Sequence, residues 1–224
     1  MVEKKKFIES LDSLKIELLS MATLAIKNVA DATKAAKKRD EELALKVIEK
    51  DNDIDKLEIK IEEECIRLLA TQQPLASDLR MITAILKINS DLERISDHAV
   101  NIAESVKIIS NKPQVKPLIS IPMMAKIAQE MLNTALDAFV QEKPELARQV
   151  CERDDEVDDL NDEVIRELVT YMMEDPRTIS DALELINISK NLERVADLAT
   201  NIAEDVVFIF QAKIIKHNIY EKSN

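Results

Sequence analysis

The sequence predicts an all-α protein built as two tandem three-helix bundles, six long helices in all. Three observations carry this. Glycine is absent and aromatic residues make up 3% of the 224-residue chain, so glycine-dependent turns and phosphate-cradling loops are excluded and helix formers dominate. Apolar residues recur at steps of three and four, the seam of a bundle helix. The chain also repeats itself: LERISDHAVNIAE from Leu92 recurs as LERVADLATNIAE from Leu192, at an offset of 100 residues.

The first helix follows Phe7, Leu11, Leu14, Leu18, Met21 and Ala25 and runs to about Lys38, where a polar turn at Arg39-Asp40 interrupts it. The second extends from about Glu41 to Ala70, with Leu43, Val47, Ile54, Leu57, Ile61 and Leu68 inward, and stops before Pro74 because proline clashes with a continuing helix. The third runs from about Ser77, a candidate N-cap, to Ser110. Pro113, Pro117 and Pro122 mark a semi-rigid linker over 113–122. It divides a first repeat, 1–112, from a second, 123–212, with a frayed tail over 213–224. In the second repeat one helix covers about Met123–Glu142, a second starts at Lys143-Pro144 and ends before Pro176, and a third covers about Thr178–Ala212. The middle helices repeat too: EKDNDIDKLEIKI from Glu49 resembles ERDDEVDDLNDEV from Glu152. This points to gene duplication and a pseudo-two-fold arrangement.

A net charge of -12 disfavours nucleic acid and anionic lipid as partners and favours cations. No apolar run approaches the roughly 20 residues of a membrane span. No apolar core follows the N-terminal lysines, so a signal peptide is not expected. Cys65 and Cys151 lie inside helical patterns as small core residues, which suits a reducing cytoplasm.

The candidate chemistry lies in the acidic residues. Glu93, Asp97, Asn101 and Glu104 fall within an arc of about 80° on the third helix, and Glu193, Asp197, Asn201 and Glu204 repeat them. The second helix of each repeat adds Asp51 with Asp55 and Asp154 with Asp158; Glu58 and Glu62 extend the first stripe. Like charges four residues apart cost a helix a few tenths of a kcal/mol per pair (~0.3), a cost that cations would remove. Carboxylate and amide oxygens are hard ligands suited to magnesium, calcium, manganese and iron, with zinc possible. The core residues Leu92, Ile95, Ala99, Ile102 and Val106 lie opposite Glu93 and Asp97, so the stripe is expected to face outward, as a solvated face would. Metal binding and plain solvated surface both stand on the residues alone. Arg94 and Arg194, beside these carboxylates, are read as surface salt-bridge partners, with a phosphate or partner contact as the other reading. His98 becomes Leu198 in the second copy and is read as surface or partly packed. Ile95 and Ile214 stand three residues before His98 and His217, so the Glu-x-x-His of di-iron bundles is missing.

These runs, with PLASDLRMI from Pro74 and MEDPRTI from Met173, resemble the PhoU family over almost the whole chain. The resemblance implies two multinuclear metal clusters, one on Asp51, Asp55, Glu93 and Asp97 and one on Asp154, Asp158, Glu193 and Asp197. Iron is the expected metal; zinc, manganese or magnesium are the other candidates. It implies a cytoplasmic, non-enzymatic negative regulator of phosphate uptake, with the ATPase subunit of the phosphate importer and a phosphate-sensing histidine kinase as partners, and a homodimer. The second repeat reads Asp181-Ala182-Leu183 where the first has Asp78-Leu79-Arg80, so a role for Arg80 is not duplicated. The alternatives are a metal-dependent phosphohydrolase, which the outward stripe argues against, and a purely structural bundle.

Overall fold

A computed structural model describes residues 2–112, 115 and 119–215. In chain order the helices are α1 (Val2–Lys38), α2 (Glu41–Gln72), α3 (Ser77–Ile109), α4 (Ser120–Gln141), α5 (Pro144–Cys151), α6 (Asp154–Glu174) and α7 (Ile179–Gln211). No strand occurs among the described residues. α1, α2 and α3 pack together, α4 packs with α5, α6 and α7, and the most extensive helix–helix contact is between α3 and α7. One continuous apolar core results, with Leu14, Leu18, Met21, Ile54, Ile61, Ile85, Ile88, Leu92, Ile95 and Ile102 among its fully buried side chains.

Bonds across the α3–α7 seam fix its direction. Arg80 Nε donates to the Ile209 carbonyl at 3.4 Å, Lys87 Nζ meets Asp205 at 3.2 Å, His98 Nδ1 lies 2.8 Å from Asn191 Oδ1, and Asn187 Nδ2 donates to Ser105 Oγ at 2.9 Å. Ascending α3 therefore descends α7, and the helices are antiparallel. This is the pairing expected of a duplicated unit folded about a pseudo-two-fold axis, and it sets the Leu92–Glu104 and Leu192–Glu204 motifs side by side near mid-helix.

The structure departs from the sequence reading in three places. The expected fifth helix is broken at Glu152-Arg153. A fresh start at Asp154 sets Asp154, Asp155 and Glu156 in the first turn of α6, where the helix dipole favours negative charge. The fourth helix begins at Ser120, so Pro122 belongs to its first turn, where a missing N–H costs nothing. Ser77 is the first helical residue, and Ala76 occupies the cap position without a side-chain bond. Of the expected linker and tail, residues 113, 114, 116–118 and 216–224 lie outside the described residues.

The lack of glycine has a local cost. Arg39, Gln73, Glu142 and Ala212 close helices with φ between 46° and 56°, the left-handed region where a side chain is disfavoured. Arg39 is compensated by donating Nη1 to the Ile109 carbonyl at 2.8 Å and to the Lys112 carbonyl, which ties the α1–α2 turn to the end of α3.

Candidate metal centre

In each half the acidic residues meet across two helices, although neither stripe is a plain outward face. In the first half Asp55, Asp97, Asn101 and Glu104 are exposed, while Asp51 and Glu93 recede partly between α2 and α3. Ser96 Oγ donates to Asp51 Oδ1 at 2.6 Å and accepts from Asn28 Nδ2 at 2.9 Å. A hydrogen-bonded relay from buried α1 thus aims the Asp51 carboxylate. Burial raises the Asp51 pKa, the Ser96 bond opposes this, and Asp55 and Asp97 add to the rise. Glu93 goes further: desolvation first, then Asp97, Glu58, Asp55 and Asp51, push its carboxyl up to about 7. Glu58 is raised as well, by burial and by Glu62 and Asp55. Half-buried carboxylates that resist losing their protons form a region that a cation would stabilise.

In the second half one carboxylate oxygen each from Asp158, Glu193 and Asp197 lie within 4.8 Å of one another. They are drawn together because Asp158 projects from α6 onto the Glu193/Asp197 pair of α7. Asp154 stands at the N-terminus of α6 and accepts from Thr200 Oγ1 at 3.4 Å. Burial raises Asp154, Asp158 and Glu193, and Asp197 is the foremost charged neighbour of each. Arg194 lies over the pair, with Nη1 2.9 Å from Asp197 Oδ2 and Nε 3.6 Å from Glu193 Oε2. In the first half Arg94 turns away to Asp91 at 3.4 Å. Both arginines are salt-bridge partners of carboxylates.

The remaining candidates do not join these groups. Asn101 and Glu104 are exposed one to two turns beyond Asp97. Asn201 and Glu204 lie equally far beyond Asp197, and Glu204 acts on the Cys151 thiol. Burial pushes that thiol up to about 11 and the Cys65 thiol up to about 12, which suits inert packing residues. His98 is half-buried in the α3–α7 seam, away from the carboxylates. Ser96, Asn28 and Thr200 were not singled out in the sequence, although Ser96 falls inside the repeated motif. Its signal is the departure from Ala196 in the other copy.

The donor set suits a hard divalent cation. Three carboxylate oxygens from two helices at this spacing can share one ion, and water can complete an octahedral shell. Asp158, Glu193 and Asp197 are the residues to hold it in the second half, with Asp51, Asp55, Glu93 and Asp97 facing one another across α2 and α3 in the first. The first-half set is more open: among the described residues, the trio in the second half is the group that closes to within 4.8 Å.

The PhoU domain model matches residues 18–106 and again 121–206. A phosphate-specific transport system accessory protein PhoU homolog of Aquifex aeolicus is 43% identical over 218 residues, covering 97% of this chain and 99% of that protein. The homolog of that name from Zymomonas mobilis is 41% identical over 93% of this chain and 88% of its own length. The crystal structure of PhoU from Pseudomonas aeruginosa superposes with a TM-score of 0.90 at 40% identity, over 92% of this chain and all of that one. A phosphate transport system regulatory protein PhoU from Streptococcus pneumoniae gives 0.87 at 29% identity, over 94% of this chain and 99% of that one. Near-complete coverage in both directions, with the same fold and both repeats matched, means that this chain belongs to the PhoU family.

Proposed function

We propose that this chain is a cytoplasmic, metal-binding negative regulator of phosphate import and of the phosphate-starvation response. It acts as a non-enzymatic adaptor between the importer's ATPase subunit and a phosphate-sensing histidine kinase, as a homodimer. The observation that carries this reading is full-length kinship to proteins named as accessory to phosphate-specific transport. No described helix is long and apolar enough to cross a membrane, which suits a role beside the importer rather than within the bilayer. The long helices offer extended faces for partner domains. The carboxylate groups are the chain's means of holding divalent metal, iron foremost, with zinc, manganese or magnesium as the other candidates. Bound metal would neutralise the repulsion between α2 and α3 and between α6 and α7. The chain's own residues do the positioning: Ser96 and Thr200 orient Asp51 and Asp154, and the buried seam holds α3 and α7 in place.

The test is a reporter of phosphate-starvation genes in cells from which this gene has been deleted. Re-expression at high phosphate is expected to restore repression, and unrelieved expression despite folded protein would overturn the reading. Metal-dependent turnover of phosphoesters that disappears in Asp97→Ala would instead establish the hydrolase.

A further inference from the structure

The two halves carry the same Glu-Arg dipeptide, yet their arginines do different things. Arg194 spans Glu193 and Asp197, two of the three residues whose oxygens converge in the second half. Arg94 bonds Asp91 instead. The cause is written in the sequence. Position 91 is an aspartate, one turn before Arg94, whereas the corresponding position 191 is an asparagine. Asn191 is buried and fully engaged: its Nδ2 donates to the Asn187 carbonyl at 2.8 Å and its Oδ1 meets His98 Nδ1 at 2.8 Å. Arg194 therefore has no carboxylate one turn behind it and turns forward onto the cluster. We propose that Arg194 is a built-in counterion of the second acidic cluster that a divalent cation must displace, so that the two halves of the protein differ in metal affinity and load in sequence rather than together.

This inference rests on the reading of the acidic clusters as metal sites and concerns how one of them is regulated. Metal and guanidinium compete for the same lone pairs of Asp197 and Glu193. Unless the arginine swings out to solvent, its charge also opposes the incoming dication. When it does swing out, the metal must still break the exposed Arg194 ion pair, a cost of up to about fivefold in affinity. Arg194 is largely solvent-exposed, with 61% of its side chain accessible, so it can leave without unfolding anything. Arg94 already has a partner outside the cluster and exerts no such competition.

The experiment is a titration of the full-length, chelator-treated protein with Mn²⁺, followed by calorimetry and by the loss of the free-ion electron spin resonance signal. Parent, Arg194→Gln and Arg94→Gln are compared at one ionic strength. Two classes of site are expected in the parent. Arg194→Gln should tighten one class by about fivefold, and that gain should vanish when Asp158→Ala is added. Arg94→Gln should leave both classes within about twofold. Mn²⁺ binding that Arg194→Gln does not alter, or an equal gain from Arg94→Gln, would overturn the inference while leaving the metal sites standing. An absence of Mn²⁺ binding in both parent and Arg194→Gln would overturn the sites and the inference together.

Discussion

Replacing Glu93 by glutamine should stabilise the metal-free protein at alkaline pH and leave it unchanged in acid. Glu93 sits partly buried among Asp97, Glu58, Asp55 and Asp51, and its carboxyl is raised to about 7 from an ordinary value of 4.5. A folded-state pKa above the unfolded value means that the native protein holds a proton which the unfolded chain has released. Stability is therefore highest below the unfolded value and falls as pH rises towards 7, where the native carboxyl finally ionises. At about 1.4 kcal/mol per pH unit the full effect is about 3 kcal/mol, and solvent screening of a partly exposed group lowers this to about 1–2 kcal/mol. Asp51, Glu58, Asp154, Asp158 and Glu193 are raised as well and add slope of the same sign. The assay is urea unfolding in chelator-containing buffers from pH 4.5 to 8.5. The parent should lose stability across this range, and Glu93→Gln should flatten part of the loss and exceed the parent by about 1 kcal/mol at pH 8. Adding Mn²⁺ should reverse the parent's slope, because deprotonated carboxylates bind metal and bind it to the folded state. A parent whose metal-free stability rises with pH, or a Glu93→Gln variant that follows the parent at every pH, would mean that Glu93 is not held protonated by its surroundings.

The pair Lys87–Asp205 stands where the other end of the seam has the neutral pair Asn187–Ser105. Asp205 is 2% exposed and its Oδ2 lacks a hydrogen-bond partner, so Lys87→Met should cost about 2–3 kcal/mol by leaving a buried carboxylate alone. The double change Lys87→Asn/Asp205→Ser should recover most of that loss, as read by chemical denaturation. Glu142→Gly, at a φ of 56° where two backbone N–H groups close the end of α4, should raise stability by about 0.5–1 kcal/mol and Tm by a few degrees in calorimetry. Asp40→Ala should remove the bond that Leu43 N–H donates to Asp40 Oδ1 at 2.9 Å and lower stability by about 1 kcal/mol.

Much of this fold could be read directly. Phe7 to Ala25 spelled the seam of α1, Pro74 and Pro176 marked the ends of α2 and α6, and the repeated Leu-Glu-Arg motifs announced the duplication. The break at Glu152-Arg153 was hidden because neither proline nor glycine marks it; the signal was three consecutive acidic residues that favour a helix start. The start of α4 was placed late because Pro122 reads as a breaker, although a first turn tolerates it. In the candidate site, spacing grouped the acidic residues on single faces of α2, α3, α6 and α7, but read those faces as turned outward. It could not tell that Glu93 would recede while Asp97 stayed exposed, because that depends on how closely α2 approaches α3. Nor does spacing along one helix reveal the Asn28–Ser96–Asp51 relay, whose members come from three helices. The contrast between Arg94 and Arg194 was present as Asp91 against Asn191, but it needed the buried bonds of Asn191 to acquire meaning.

Whether the acidic residues hold metal is decided by elemental analysis of the purified protein after incubation with Fe²⁺, Mn²⁺ or Zn²⁺ and removal of excess ion. A Glu93→Ala/Asp97→Ala/Glu193→Ala/Asp197→Ala variant serves as its partner. Stoichiometric metal should be retained by the parent and lost in the variant, with the helical content of both unchanged. Equal metal in both, or none in either, would contradict this and return the acidic stripes to the status of solvated surface.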